Sequence, residues 1–490
     1  MTTKATTHKG IILALSCAAQ FMVILDVAIV NVALPSIQHE LGIGQNALQW
    51  IITAYGLMLG GFLLLGGRMG DLLGRRRMFL AGLVVFAGAS LLAGLADSAE
   101  LLIGARALQG LGAAFVAPAA LSTLAVTFPE GAERNRAIGI FGAVAGVSAT
   151  VGVIASGLLS DGPGWRWIFL INVPVGILLI ALAARFLARD AREARTREID
   201  VAGAVTATGG LMLLVYALSR TTETGWNSPS TLGLFAAAGS LLLVFLGIEA
   251  KSRSPLVPAS AVRNRTLVAA NLSAFLLFGA FFSFIFLGSL LMQQMLGYSP
   301  TKTGVAWLAT TVISFFAAAF TGAKVVGVLG VRRVLVVGLT ILAVAGFLLT
   351  RIEPGAEYAT DLLPALLLAG IAGGMCAPAV QLGALSGVAP SMSGLASGLL
   401  ETFREIGGAI AVAVVATVLV STVGKVGSAD LAASEPLPAS AFQDAFWVIT
   451  IVAIAGALTA ALAFPRRTPH VIETTPPQVS AIPEPTGEVR

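Results

Sequence analysis

The chain has 490 residues, 57% of them apolar and only 11% charged, with a formal net charge of +5 and a mean hydropathy of +0.90. A soluble domain carries about 25% charged residues, so water is excluded as the main solvent and the apolar faces must meet lipid. The basic residues sit in short loops between apolar runs, which argues against a nucleic-acid surface. Cys17 and Cys376 lie inside such runs at no disulfide or metal-ligand spacing, and His8, His39 and His470 lie outside them and form no metal site.

A membrane-spanning helix needs about 20 apolar residues. Fourteen runs meet that need, at 10–34, 47–67, 78–96, 101–128, 137–160, 167–187, 201–219, 231–249, 266–292, 304–328, 334–350, 362–389, 395–423 and 443–464. Lys4 and Lys9 precede the first run, which is long, carries Asp26 and shows no small-residue cleavage signal. It is therefore predicted to be a retained span and not a signal peptide. With the N-terminus in the cytoplasm, the outer loops hold only Arg166, Arg220, Lys302, Arg351 and Lys425. The inner loops collect nearly all the rest, including Arg68, Arg75, Arg76, Arg77, Arg134, Arg136, Lys324, Arg332 and Arg333. This bias predicts an even number of spans and both termini inside. The proline-rich tail 465–490 is predicted to be a disordered cytoplasmic segment.

Two segments recur along the chain. Gly110 to Pro118 in span 4 resembles Gly370 to Pro378 in span 12, and the turn at Gly74 before Arg75, Arg76 and Arg77 resembles the turn at Gly330 before Arg332 and Arg333. The offsets, 260 and 256 residues, nearly agree. Spans 1–6 thus read as a copy of spans 9–14, with spans 7 and 8 inserted, an arrangement found in secondary transporters whose site lies between the repeats. The predicted units are a six-helix bundle at 1–198, two linker helices at 199–262, a second six-helix bundle at 263–464 and the tail.

Four motifs carry a family resemblance, in chain order. They are Leu25-Asp26 to Asn31 and Pro35; Gly67-Arg68-Met69-Gly70-Asp71-Leu72-Leu73-Gly74-Arg75-Arg76-Arg77; Arg106 with Gln109, Gly110 and Gly112; and Gly164-Trp165-Arg166-Trp167 with Phe169, Asn172 and Pro174. Together, over nearly the whole chain except the tail, they resemble the fourteen-helix drug/proton antiporter branch of the major facilitator superfamily. The resemblance implies an all-helical integral membrane fold of two six-helix bundles plus two linker helices. It also implies export of small lipophilic or cationic drugs or antibiotics by alternating access, driven by protons, with no cofactor and no enzymatic step. Span 5 departs from the pattern: Gly152, Ser156 and Gly157 stand where such antiporters usually carry a Gly-Pro and a glycine pair.

The residues themselves suggest roles. Asp26 lies about 16 residues into its run, roughly 24 Å along the helix, where a carboxylate is costly unless paired, hydrated or protonated. It is a candidate proton-coupling group and cation attractor, with a fixed helix–helix hydrogen bond as the alternative. Asn31, five residues on, faces other neighbours and suits interhelical packing. Arg106 inside span 4 needs an acceptor, and the resemblance makes it a coupling residue; a permanent ion pair is the alternative. Gly67, Asp71, Gly74, Arg75 and Arg76 form a turn-and-charge cluster expected to gate the cytoplasmic side. Glu401, Arg404 and Glu405 share neighbouring faces of span 13, and Glu401, where the family usually has an amide, is a second candidate proton site. The expected substrate cavity involves Asp26, Asn31, Gln109, Phe278 and Phe282. Gly110, Pro118, Gly152, Gly157, Arg166, Asn172, Pro174 and Arg404 are expected structural positions.

The expected partners are a small lipophilic substrate, protons and the lipid bilayer, with no nucleic acid, and the expected state is a monomer. Arg-rich, Ala- and Gly-rich usage points to a bacterial cytoplasmic membrane. No Gly-x-x-x-x-Gly-Lys-Ser/Thr pattern is present, which argues against ATP-driven export. A dedicated exporter of one metabolite or self-made antibiotic, a proton-coupled uptake symporter and a non-transporting membrane sensor are the alternatives.

Overall fold

The computed structural model describes residues 2–188, 200–252, 254–423 and 437–465, and among them every regular element is helical. In chain order the α-helices are α1 (Thr2–Leu41), α2 (Gln45–Leu73), α3 (Arg75–Gly94), α4 (Ala99–Thr127), α5 (Ala132–Asp161), α6 (Trp167–Leu170), α7 (Asn172–Phe186), α8 (Val201–Thr224) and α9 (Pro229–Glu249). They continue as α10 (Ala259–Arg263), α11 (Arg265–Gln294), α12 (Pro300–Ala306), α13 (Leu308–Phe320), α14 (Val326–Leu349), α15 (Leu363–Leu385), α16 (Ser393–Val423) and α17 (Ala439–Ala463). A helix can cross lipid because it satisfies its own backbone hydrogen bonds.

Twelve stretches are long and apolar enough to span a bilayer. One of them, Thr301–Leu349, is 49 residues long and turns at Gly330, where φ is 77° and ψ 157°; it therefore makes two crossings. The 30-residue α5 adds the remaining one, giving the fourteen expected. Gly74, with φ 109°, makes the equivalent turn between α2 and α3. A positive φ suits glycine because it has no Cβ, so both copies of the repeated motif fold into the same left-handed corner.

Several boundaries differ from the sequence reading. Helix α1 runs through Pro35 to Leu41, because proline removes only one backbone donor and neighbouring helices tolerate it. The sixth span breaks after Leu170 and resumes at Asn172. The tenth breaks at Trp307 and passes through a π-helical turn, Thr321–Val325, before α14. The predicted tail beyond Pro465 and the inner loop 189–199 lie outside the described residues.

The packing repeats. Within the first half α1 packs on α5, α2 and α3 pack on α4, and α3 packs on α7; in the second half α11 packs on α16, α13 and α14 pack on α15, and α14 packs on α17. Between halves α2 packs on α16 and α5 on α13, again as images of one another. Small residues permit these approaches. The inserted pair α8–α9 covers one seam: α8 packs on both α2 and α16, and Trp226 beyond its C-terminal end donates to Thr417 of α16 at 2.6 Å. Near the other end Arg68 of α2 donates to the Pro255 carbonyl at 2.9 Å.

Candidate functional site

The most deeply buried charges meet in the first half. Asp26 is completely buried and Arg106 is 2% exposed. Arg106 Nη1 donates to Asp26 Oδ2 at 2.5 Å and to Gln109 Oε1 at 2.9 Å, and its Nε donates to the Ile51 carbonyl at 3.3 Å. Gln109 Nε2 donates to Asp26 Oδ1 at 3.1 Å and to Ser90 Oγ at 2.7 Å, and Asn172 Nδ2 donates to the same Asp26 oxygen at 3.0 Å. The guanidinium lies over Tyr55, 4.2 Å from the ring centre. Leu25, Ile29, Ile51, Ala105, Trp165 and Phe169 pack into one apolar cluster around this network.

Three side-chain donors satisfy the two oxygens of Asp26, and charge-assisted bonds of this kind are the strong ones. The carboxylate and guanidinium thus form a buried ion pair between α1 and α4.

Local sequence explains the convergence. Gly110 lets α4 close onto α2, since a Cβ there would stand 3.1 Å from Met58 Cβ and closer still to the Tyr55 backbone. On the other side of α1, a Cβ on Gly152 would stand 2.8 Å from Ala28 Cβ, and Ser156 Oγ donates to the Ile29 carbonyl at 2.6 Å. The serine that departs from the span 5 pattern therefore ties α5 to α1 one turn beyond Asp26. The surroundings of the Asn31 side chain and of Gly157 fall outside the described residues. Pro118 lies within α4 and Pro174 in the first turn of α7. Arg166 pairs with Glu40 and donates to the Ala96 carbonyl at 3.1 Å, far along α1 from Asp26.

A second charged cluster sits on α16. Arg404 Nη1 lies 2.6 Å from Glu401 Oε2, an ion pair without hydrogen-bond alignment, while Nη2 and Nε donate to Glu405 Oε1 at 2.8 and 3.2 Å. Phe278 of α11 lies under the guanidinium at 5.5 Å and forms an edge-to-face pair with Phe282 at 5.5 Å. Tyr55, which sequence reasoning passed over, lies under the Arg106 guanidinium on α2, the helix that also packs on α16. Nothing in a lone tyrosine of an apolar run announces that position. Asn172 as a partner of Asp26 and Ser90 as a partner of Gln109 were likewise invisible, because they come from other helices.

The basic face holds a third arrangement. Asp71 accepts the backbone N–H groups of Gly394 and Leu395 at 2.9 and 2.8 Å. These are donors of the first turn of α16, where the helix dipole favours an anion. Arg75 lies 3.3 Å from the same carboxylate and also donates to the Pro390 carbonyl, and Arg76 donates to the Ala184 carbonyl at 2.5 Å. A Cβ on Gly67 would stand 2.8 Å from Gly398 Cα. The structure thus joins Gly67, Asp71 and Arg75 to the second half, and turns Arg76 toward α7.

The comparisons with known proteins agree with this picture. The Major Facilitator Superfamily profile matches residues 16–412. The chain is 41% identical to the puromycin resistance protein of Streptomyces alboniger, over 82% of this chain and 80% of that one. It is 36% identical to the cephamycin export protein of Amycolatopsis lactamdurans, over 97% of this chain and 96% of that one. Among solved structures, the human organic anion transporter MFSD10 superposes with a TM-score of 0.65 at 16% identity, covering 92% of this chain and 99% of that one; at that identity the likeness speaks for the fold alone.

Proposed function

The chain belongs to the major facilitator superfamily, and on that premise we propose that it is a proton-coupled exporter of small lipophilic or cationic molecules, drugs or antibiotics among them, working by alternating access between its two halves. The observation that carries the coupling is the completely buried Asp26 paired with Arg106 across α1 and α4. In this reading the units are residues 1–198, 199–262 and 263–464, followed by the tail. The protein sits as a monomer in a bacterial cytoplasmic membrane, with both termini inside.

Asp26, Arg106 and Glu401 form the coupling machinery. A proton from outside neutralises Asp26 or Glu401, frees the paired guanidinium and favours rearrangement of the halves. Gly67, Asp71, Gly74, Arg75 and Arg76 gate the cytoplasmic side, which is closed while Asp71 holds the first turn of α16. Exchange of one proton for one monovalent cation is electroneutral. A neutral substrate also draws on the membrane potential, about 2.3 kcal/mol per charge per 100 mV. A dedicated exporter of a single antibiotic is the second reading, favoured by the relatives named for puromycin resistance and cephamycin export.

Inverted vesicles with an acidified lumen test the proposal. Puromycin, a cephamycin and ethidium are added in turn, and lumenal alkalinisation is recorded for the wild type and Asp26→Asn. Proton efflux that needs both a compound and Asp26 is the expected result. Efflux that survives in the mutant moves the coupling to Glu401, and silence toward all compounds removes the export reading for these classes.

A further inference from the structure

Arg404 is held by two carboxylates at once, Glu401 at 2.6 Å and Glu405 at 2.8 Å, over the face of Phe278. Paired carboxylates beside an aromatic face are the chemistry by which proteins hold an organic cation. Here that place is occupied by a cation of the chain itself. The cluster also borders open space: the side chains of Arg404 and Glu405 are 16% and 27% exposed, whereas Arg106 and Asp26 are 2% and 0% exposed. On α2, which packs on α16, Tyr55 is 3% exposed and its hydroxyl makes no hydrogen bond.

The charges decide what such a site accepts. Asp26 and Arg106 cancel. Glu401, Arg404 and Glu405 leave one negative charge uncompensated when both carboxylates are ionised. One positive charge on a ligand can be matched there; a second meets only the guanidinium, and like charges brought together across an interface are strongly disfavoured. Protonation of Glu401 removes the excess charge and leaves Arg404 to Glu405, so a bound monocation loses its partner.

We propose that Arg404 is an internal counter-ion that restricts this site to organic substrates carrying no more than one positive charge. The inference rests on the export reading for its substrate class, but its test reads binding and not transport.

Ethidium and propidium share a phenanthridinium ring system and carry one and two positive charges. Their binding to the purified full-length protein in lipid nanodiscs is followed by dye fluorescence in alkaline buffer. The wild type and Arg404→Lys are expected to favour ethidium. Arg404→Gln, with two unpaired carboxylates, is expected to raise propidium affinity relative to ethidium by at least about tenfold. The double variant Arg404→Gln/Glu405→Gln, which has the wild-type net charge, is expected to return to the wild-type ratio. Failure of Arg404→Gln to gain propidium binding, or the same raised ratio in the double variant, overturns the proposal. Should Arg404→Gln fold poorly, Glu405→Gln reads the same charge count: its ethidium affinity is expected to fall about tenfold, and an unchanged affinity overturns the proposal. A wild type that binds ethidium yet exchanges no protons for it in vesicles counts against the export reading and leaves the role of Arg404 standing.

Discussion

Gly139 of α5 and Gly322 of the π-helical turn cross so closely that a Cβ on Gly139 would stand 2.8 Å from the Cα of Gly322. Gly67 of α2 and Gly398 of α16 cross in the same way, also at 2.8 Å. Gly67 and Gly322 are 255 residues apart and Gly139 and Gly398 are 259 apart, close to the offsets of the repeated motifs. The two crossings are therefore images of one another, and both join the halves. Gly139→Ala is expected to force them apart, at about 1–3 kcal/mol against the closed arrangement. Spin labels at the exposed Arg77 and Ser391 measure this as a longer and broader distance distribution. Gly104→Ala, where an added methyl meets nothing within 4 Å, is the control, and equal distributions for both variants would make the crossing passive.

The lock at Asp71 is not symmetric. The position 255 residues on is Val326, so Asp71 has no acidic counterpart at the repeated position. Asp71→Asn keeps an acceptor but loses the charge at the α16 N-terminus, about 0.3–1 kcal/mol and up to about 2 when partly buried. Asp71→Ala leaves two backbone donors without a partner, about 1–3 kcal/mol each where water is kept out. Arg75→Ala leaves both amide bonds in place. Hydrogen–deuterium exchange of the peptide containing Gly394 and Leu395 is expected to accelerate most in Asp71→Ala, less in Asp71→Asn and least in Arg75→Ala. No acceleration in Asp71→Ala would remove the carboxylate from the lock.

At the opposite face, Glu40 accepts from Arg166 and from Trp165 Nε1, the latter at 2.8 Å. The hydrogen bond from Arg166 holds the Glu40 carboxyl below the usual carboxylate range. Its stabilising effect is therefore present above the unfolded value of about 4.3 and is lost as pH falls through the lower folded value. Both side chains are substantially exposed, so the effect is small. The melting-temperature gap between the wild type and Glu40→Gln is expected to be open near pH 7 and to close below about pH 4; a gap independent of pH would assign it to packing.

The spans were legible because apolar runs of about 20 residues have few other uses, and the repeat was legible because Gly74 and Gly330 must each take a positive φ. Asp26, Arg106 and Glu401 were legible one at a time, since a charge in an apolar run needs a reason. The pairing of Glu401 with Arg404 followed from their spacing on one helix, but the partners that Asp26 and Arg106 find on other helices did not. Asn172 reaches Asp26 only because the sixth span breaks after Leu170, and Tyr55 reaches Arg106 only because Gly110 brings α4 onto α2. Such meetings depend on tertiary distance, and a single sequence carries no record of it. Gln109 is wholly buried between Arg106, Asp26 and Ser90.

The Asp26–Arg106 pair separates stability from coupling. Arg106→Gln leaves a carboxylate at complete burial with only Gln109 and Asn172 to hold it, and breaking a buried pair from one side costs about 3–5 kcal/mol. Arg106→Lys does little better, because a single ammonium cannot reproduce the planar fork that reaches Asp26, Gln109 and Ile51 while stacking on Tyr55. Asp26→Asn/Arg106→Gln removes both charges together, so its destabilisation is expected to fall well short of the summed single effects, as coupled residues require. Thermal unfolding of the purified variants checks this order. A double variant no more stable than Arg106→Gln would mean that the two charges do not compensate one another. If stability recovers in the double variant while substrate-dependent proton efflux does not, the pair is needed beyond folding, and its breakage is a step of the transport cycle.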